Sequence, residues 1–202
     1  AGKLELQAAG GGGASDLNGL SDAVVNTSTL SSYLVDVTNK ASSSNIRNTV
    51  FGQNCFTSNT SGQQNVAIGV YCYHSSSSGS FSVAIGHGAL SGATGTQGSG
   101  NVAVGSGALG NSQYSGGHQE TVGIGRNSGQ YYDGNGSVII GNSAAQGQFS
   151  TRITGNNLIV LGDNASTSAN SVSNEITLGN SSITALRCAV TSITSLSDER
   201  DK

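Results

Sequence analysis

Proline, methionine and tryptophan are absent from this 202-residue chain, and Lys, Arg, Asp and Glu together make up only 9% of it. Ordinary domains are about 25% charged, so this surface has to be polar without being ionic. The formal net charge of −3 argues against nucleic acid as a partner, which calls for clustered Lys and Arg. The longest apolar runs are like Leu158–Leu161, far short of the roughly 20 residues of a membrane-crossing helix, so no membrane insertion is expected. No basic segment followed by an apolar core opens the sequence, and no secretion signal is expected. The lack of Met points to a fragment or a processed product. Between Asn48 and Gln119 there is no Asp, Glu, Lys or Arg at all; such a wall offers no trypsin sites and responds little to salt.

What the chain does contain is Gly, Ser, Asn and Thr, about half of all residues, with apolar residues in short, evenly spaced packets. Eight segments match: Asn48-Thr-Val-Phe-Gly52, Asn65-Val-Ala-Ile-Gly69, Ser82-Val-Ala-Ile-Gly86, Asn101-Val-Ala-Val-Gly105, Thr121-Val-Gly-Ile-Gly125, Ser137-Val-Ile-Ile-Gly141, Leu158-Ile-Val-Leu-Gly162 and Glu175-Ile-Thr-Leu-Gly179. The closing glycines follow one another at 17, 17, 19, 20, 16, 21 and 17 residues. Three residues past each stands a small side chain: Cys55, Cys72, Ala89, Ala108, Ser128, Ala144, Ala165 or Ser182.

Side chains two apart share one face of a strand. Each packet therefore predicts a short strand with two inward residues, the one before the glycine and the one three before it. A single packet buries nothing, but packets stacked in register make a β-solenoid. The Ser/Gly/Asn/Gln stretches between them read as turns of variable length, and no helical period is sustained. Two apolar residues per short strand make a meagre core for one chain. Sharing the ladder between copies through closed cyclic symmetry predicts a slender homo-oligomer, a trimer.

The Asn-Val-Ala-Ile-Gly-x-x-Ala-Leu repeat resembles both the heads of trimeric autotransporter adhesins and the repeat tracts of bacteriophage tail fibres. The resemblance implies an all-β homotrimer, a parallel β-roll or intertwined β-helix built from eight repeats of 16–21 residues. Leu17-Asn-Gly-Leu-Ser-Asp22 resembles the linker that precedes such tracts in phage fibres. The ending Ser197-Asp-Glu-Arg-Asp-Lys202 is similar to the junction where a fibre enters an endosialidase-type intramolecular chaperone. That family assembles its fibre and then cuts itself off, which places the processing junction at Ser197–Asp198. The implied organisation is a linker and cap over residues 1–47, the solenoid over 48–182, and a strand segment with the start of the junction over 183–202. The implied role is structural and host-adhesive, in the virion tail fibre. Its partners are two further copies of itself, the rest of the virion tail, and a host-surface receptor or polysaccharide; the bacterial adhesin head is the alternative, at the bacterial cell surface.

Candidate chemistry is sparse. Cys55 and Cys72 occupy one position in consecutive repeats, where stacked rungs about 4.8 Å apart would bring a disulfide within reach; two small thiols filling an alanine slot is the expectation favoured here, and Cys188 has no partner in register. Three copies of His74, His87 or His118 on a threefold axis would suit a metal, yet no metal or other cofactor is expected. Glu120, Asp133, Asp163 and Glu175 show no spacing that pairs carboxylates for glycoside hydrolysis, so no enzymatic activity is expected. Gly123-Ile-Gly125-Arg-Asn-Ser-Gly129 imitates a phosphate loop without its lysine and is one more repeat. Tyrosines in the turns, flanked by Asn, Gln and Ser, suit the apolar faces and hydroxyls of a saccharide. Tyr131, Tyr132 and Asp133 of the Gln130–Gly134 turn, with Tyr114, are the candidate receptor-contacting residues.

Overall fold

A computed structural model of the chain describes residues 47–92, 98–111, 118–148 and 150–187. Eight three-residue strands run β1 (Thr49–Phe51), β2 (Val66–Ile68), β3 (Val83–Ile85), β4 (Val102–Val104), β5 (Val122–Ile124), β6 (Val138–Ile140), β7 (Ile159–Leu161) and β8 (Ile176–Leu178). They pair in sequence order, all parallel, in one eight-stranded sheet. The described residues contain no helix. Successive strands are joined by one circuit of chain, so the molecule is a β-solenoid, the architecture expected from the packets.

The register is the one the repeats dictate: Val66, Ala67 and Ile68 lie opposite Val83, Ala84 and Ile85, and those opposite Val102, Ala103 and Val104. The glycine closing each packet turns the chain out of the strand. Gly86, at φ +129°, shows why no other residue serves: a Cβ there would lie 2.7 Å from the backbone of Gly105 in the next rung. Four residues past these glycines, Phe56, Tyr73, Leu90 and Leu109 point into the solenoid and are buried, with the Phe56 and Tyr73 rings 4.8 Å apart. Beside them stack the small residues Cys55, Cys72, Ala89 and Ala108, also buried.

The strands contribute differently from expectation. The middle residue of each faces inward: Ala67, Ala84, Ala103, Ile139 and Val160 are wholly buried. The residues on either side, predicted to point inward, point out of the chain's own solenoid. Ile68, Ile85, Ile124 and Ile140 each keep 37–38% of their surface exposed. Periodicity two fixes that the flanking pair share a face but not which face that is. The small Ala between them marks the inner wall, because the opposite wall approaches closely there.

The residue opening each packet is also interior, and it is polar. Asn65, Ser82, Asn101, Thr121 and Ser137 are buried, each at the mouth of its strand. Asn65 Oδ1 accepts the Ser82 amide at 2.9 Å, Ser82 Oγ the Asn101 amide at 3.1 Å, and Asn101 Oδ1 the Thr121 amide at 3.0 Å. Asn65, Ser82 and Asn101 thus each cap the rung that follows, pairing a backbone donor that burial would otherwise strand.

Where one rung lacks side chains its neighbours fill the gap. Gly123 and Gly129 both face Leu109; a Cβ on either would lie 2.6–2.7 Å from that side chain. Leu109 therefore supplies the core of two rungs.

Candidate functional site

Repeat length varies between the inward residue after each glycine bend and the approach to the next strand. Among the described residues, the turns there stack along one edge. Tyr131 N–H donates to Gly110 O at 3.0 Å and Gly147 N–H to Gln130 O at 2.9 Å, while Tyr132 forms a parallel bridge with Ile153. Gln148 and Thr151 exchange backbone hydrogen bonds of 3.1 Å, which closes a tight turn that stands on this edge.

Arg152 ties three turns together. Its Nη2 donates to Asp133 Oδ1 at 2.8 Å and to Asn111 O at 2.6 Å, and its Nε donates to Asp133 Oδ2. The Asp133 side chain has no exposed surface, so the pair is a desolvated, two-pronged one, the geometry that makes burial of both charges tolerable. The guanidinium also lies 5.5 Å from the centre of the Tyr131 ring, a cation–π distance. Beside it is a shallow cleft of about 350 Å³ lined by Tyr131, Gln146, Gly147 and Gln148, in which Gln146 Nε2 donates to Gln130 Oε1 at 2.9 Å.

Of the sequence candidates, Tyr131 faces this cleft. Tyr132 and Asp133 do not: Tyr132 is fully buried and Asp133 nearly so, and of the three residues of this turn only Tyr131 reaches the cleft. The positive φ of Tyr131 turns the chain, and the bridge to Ile153 draws Tyr132 inside. Its hydroxyl donates to Gly155 O at 2.7 Å and lies 2.6 Å from Ser137 Oγ; burial pushes the phenol up to about 12, with the Ser137 hydrogen bond opposing. Tyr114, Ser197 and Asp198 lie outside the described residues. Gln146, Gln148 and Arg152 were not singled out by the sequence. Only Arg152 carried a signal, as a rare cation in a nearly uncharged chain.

Below the edge, the His118 ring stacks on Tyr132 with centroids 5.6 Å apart and planes 3° from parallel. Its Nε2–H donates to Leu109 O at 3.2 Å. Burial holds the imidazole well below its ordinary range, at about 4, against the upward pull of the Asp133 charge and nearby backbone. His118, Tyr132, Asp133 and Ser137 are hydrolytic residue types, but all four are buried, so no substrate reaches them in this conformation.

Tyr71 is flanked edge-on by His74 and His87 at 5.5 and 6.1 Å. No group of three His, Cys, Asp or Glu among the described residues is placed to hold a metal ion, and no helix among them is long and apolar enough to cross a membrane. Cys55 and Cys72 are buried thiols, with Cys72 Sγ donating to Ala84 O at 3.1 Å. Comparison of the chain with protein-family models, curated proteins and solved structures gives no match.

Proposed function

We propose that the chain is a structural and host-adhesion segment of a bacteriophage tail fibre, a homotrimer whose three strand stripes pack together and whose loop edges face a host-surface saccharide or other receptor. One observation carries the reading: in rung after rung the larger strand residues face away from the chain's own core. Val, Ile and Leu at matched positions, with Thr49 and Phe51 in the first rung, form an apolar stripe along the column, and a stripe of that length is what an interface between copies requires. Each half-exposed Ile that becomes covered contributes on the order of 1 kcal/mol, repeated along the column and around the threefold axis.

The loop edge supplies the second half of the function. It is where the repeats differ in length, and there an aromatic ring and neutral amides line an open cleft. The guanidinium beside it is neutralised by Asp133, so the cleft suits uncharged, hydroxyl-rich ligands. Three copies of a weak site on one rigid rod gain by multivalency. Nothing in the reading requires catalysis. The junction-like Ser197–Asp198 sequence favours the fibre over the adhesin head, whose repeats would pack in the same way.

Light scattering tests the assembly: the expected mass is that of three 20.1 kDa chains, resistant to detergent without boiling. A 20.1 kDa species at micromolar concentration overturns it. Expression from the longer reading frame separates the two families: the fibre reading expects a mature product ending at Ser197, and the adhesin reading expects no cut there.

A further inference from the structure

We propose that the buried His118–Tyr132 stack is an acid-sensitive latch, which holds the loop edge closed at neutral pH and releases it in acid while the remaining rungs stay folded. The latch concerns the conformation of that edge and is independent of which receptor the edge meets.

His118 stands in a column that the other rungs fill with glycine, Gly62, Gly79, Gly98, Gly134 and Gly155, until Val172 at its far end. Those glycines are crowded. A Cβ at Gly98 would lie 1.8 Å from His118 O, and one at Gly134 would lie 1.9 Å from Gly155 O. One rung alone thus puts a large, ionisable ring where its neighbours have no side chain. With Nε2–H bonded to Leu109 O, a second proton has to enter at Nδ1, which is buried with no hydrogen-bond partner.

The groups facing the ring offer the imidazolium little beyond the Gly134 backbone and the Asp133 charge, and burial outweighs both. The Tyr132 hydroxyl is committed to Gly155 and Ser137. The Asp133 carboxylate is committed to Arg152 through two hydrogen bonds, and the Arg152 charge opposes a second cation. A buried cation without its own counter-ion is strongly disfavoured, so protonation expels the ring instead. What leaves with it is specific: the Leu109–Asn111 turn that accepts from His118 and Arg152, and the Tyr131–Asp133 turn beneath which the ring lies.

The direction follows from linkage. The folded ring titrates at about 4 against an ordinary 6.5, so the open form binds more protons. The latch is intact above pH 6.5, weakens as pH falls from there toward 4, and loses nothing further below that. Between pH 7 and pH 4.5 the opening equilibrium rises about 50-fold. The rungs from β1 to β3 provide an internal reference: no carboxylate lies between Asn48 and Gln119, and the imidazoles there, His74 and His87, are half-buried and exposed rather than enclosed.

Hydrogen exchange on the intact oligomer, with intrinsic chemical rates divided out, reads this directly. The expected result is an opening near Leu109–Asn111 and Tyr131–Asp133 that is about 50-fold more populated at pH 4.5 than at pH 7, with Val50–Leu90 protected throughout. In His118→Gln the same segments should show no such rise. An equal rise in His118→Gln transfers the effect to Asp133 and overturns the proposal. So does the absence of a rise in the wild type, or loss of protection across β1–β3 in step. Should His118→Gln fail to fold, the imidazole titration of His118 followed by NMR in the wild type decides: a folded-state midpoint near 6.5 overturns the latch, and one near 4 supports it.

Discussion

Val83 stands in register on Val66 in the next strand, and both lie on the face that the chain leaves open. Their partners two residues on, Ile85 and Ile68, repeat the relationship, while Ala84 and Ala67 between them are wholly buried. The repeat therefore builds two apolar surfaces from one strand: a narrow inner wall of small residues and a broad outer wall of β-branched ones. The inner wall closes the single chain, and the outer wall stays uncovered by the chain itself.

A charge in the outer wall tests that division. In the proposed trimer, Ile85→Asp places a carboxylate where each copy needs an apolar contact, at a cost on the order of 3 kcal/mol per copy. The inner core does not change, so the rungs should remain folded. Light scattering should show the threefold mass lost at micromolar concentration for Ile85→Asp. It should be retained for Ser106→Asp, whose side chain lies on the exposed surface beyond the glycine bend. Retention of the trimer by Ile85→Asp would place the interface elsewhere.

The two kinds of glycine separate backbone conformation from crowding. Gly86→Ala adds a Cβ 2.7 Å from the Gly105 backbone at a φ of +129°, a clash that only a shift of the stacked rungs relieves. The expected loss is about 3 kcal/mol or more. Gly136 has a φ of +60° and nothing within 4 Å of an added Cβ, so Gly136→Ala should cost about 1 kcal/mol through conformation alone. Urea unfolding of the two variants gives the difference.

Much of this solenoid is legible in the sequence, because stacking in register repeats each structural demand at a fixed offset. The glycine bends and the small residues at Cys55, Cys72, Ala89 and Ala108 are read that way. Two other columns repeat as clearly and were not read as interior. One is the large residue at Phe56, Tyr73, Leu90 and Leu109; the other is the polar one at Asn65, Ser82, Asn101 and Thr121. Both break the usual link between turn and surface or between polar and exposed. The Gln130–Gly134 turn was legible as a feature but not in its orientation. Tyr131 and Tyr132 are identical in type, and which one points outward depends on Ile153, twenty-one residues further along. The His118 pocket left no pattern, since the exceptions to the glycine column, His118 and Val172, differ in type and have no period.

The polar column carries its own prediction. Asn101 Oδ1 accepts the Thr121 amide, and its Nδ2 donates to Gly98 O at 3.1 Å and His118 O at 2.7 Å. Asn101→Ala leaves a buried donor and two carbonyls unpaired, an expected loss of about 3 kcal/mol. Asn101→Ser should recover part of it, because Ser82 and Ser137 make the same inter-rung bond to the Asn101 and Leu158 amides. Equal denaturation midpoints for Ala and Ser would show that the ladder contributes nothing at this rung.

The paired thiols at the other end of the solenoid follow from the same stacking. The neighbouring Cys55 thiol, and then burial, hold Cys72 far above the ordinary thiol range, so almost no thiolate exists at neutral pH and disulfide exchange is correspondingly slow. Both thiols sit where later rungs carry Ala89 and Ala108, which are equally buried. A side chain of alanine size therefore fits the slot, and Cys72→Ala should cost about 1 kcal/mol, the loss of one small buried group. Peptide mapping after treatment with an aromatic disulfide reagent should find Cys55 and Cys72 unmodified in the native protein and fully modified in denaturant. Modification under native conditions would mean that the first two rungs open readily. That would be at odds with a core in which Cys55, Phe56, Cys72 and Tyr73 of these rungs are all buried.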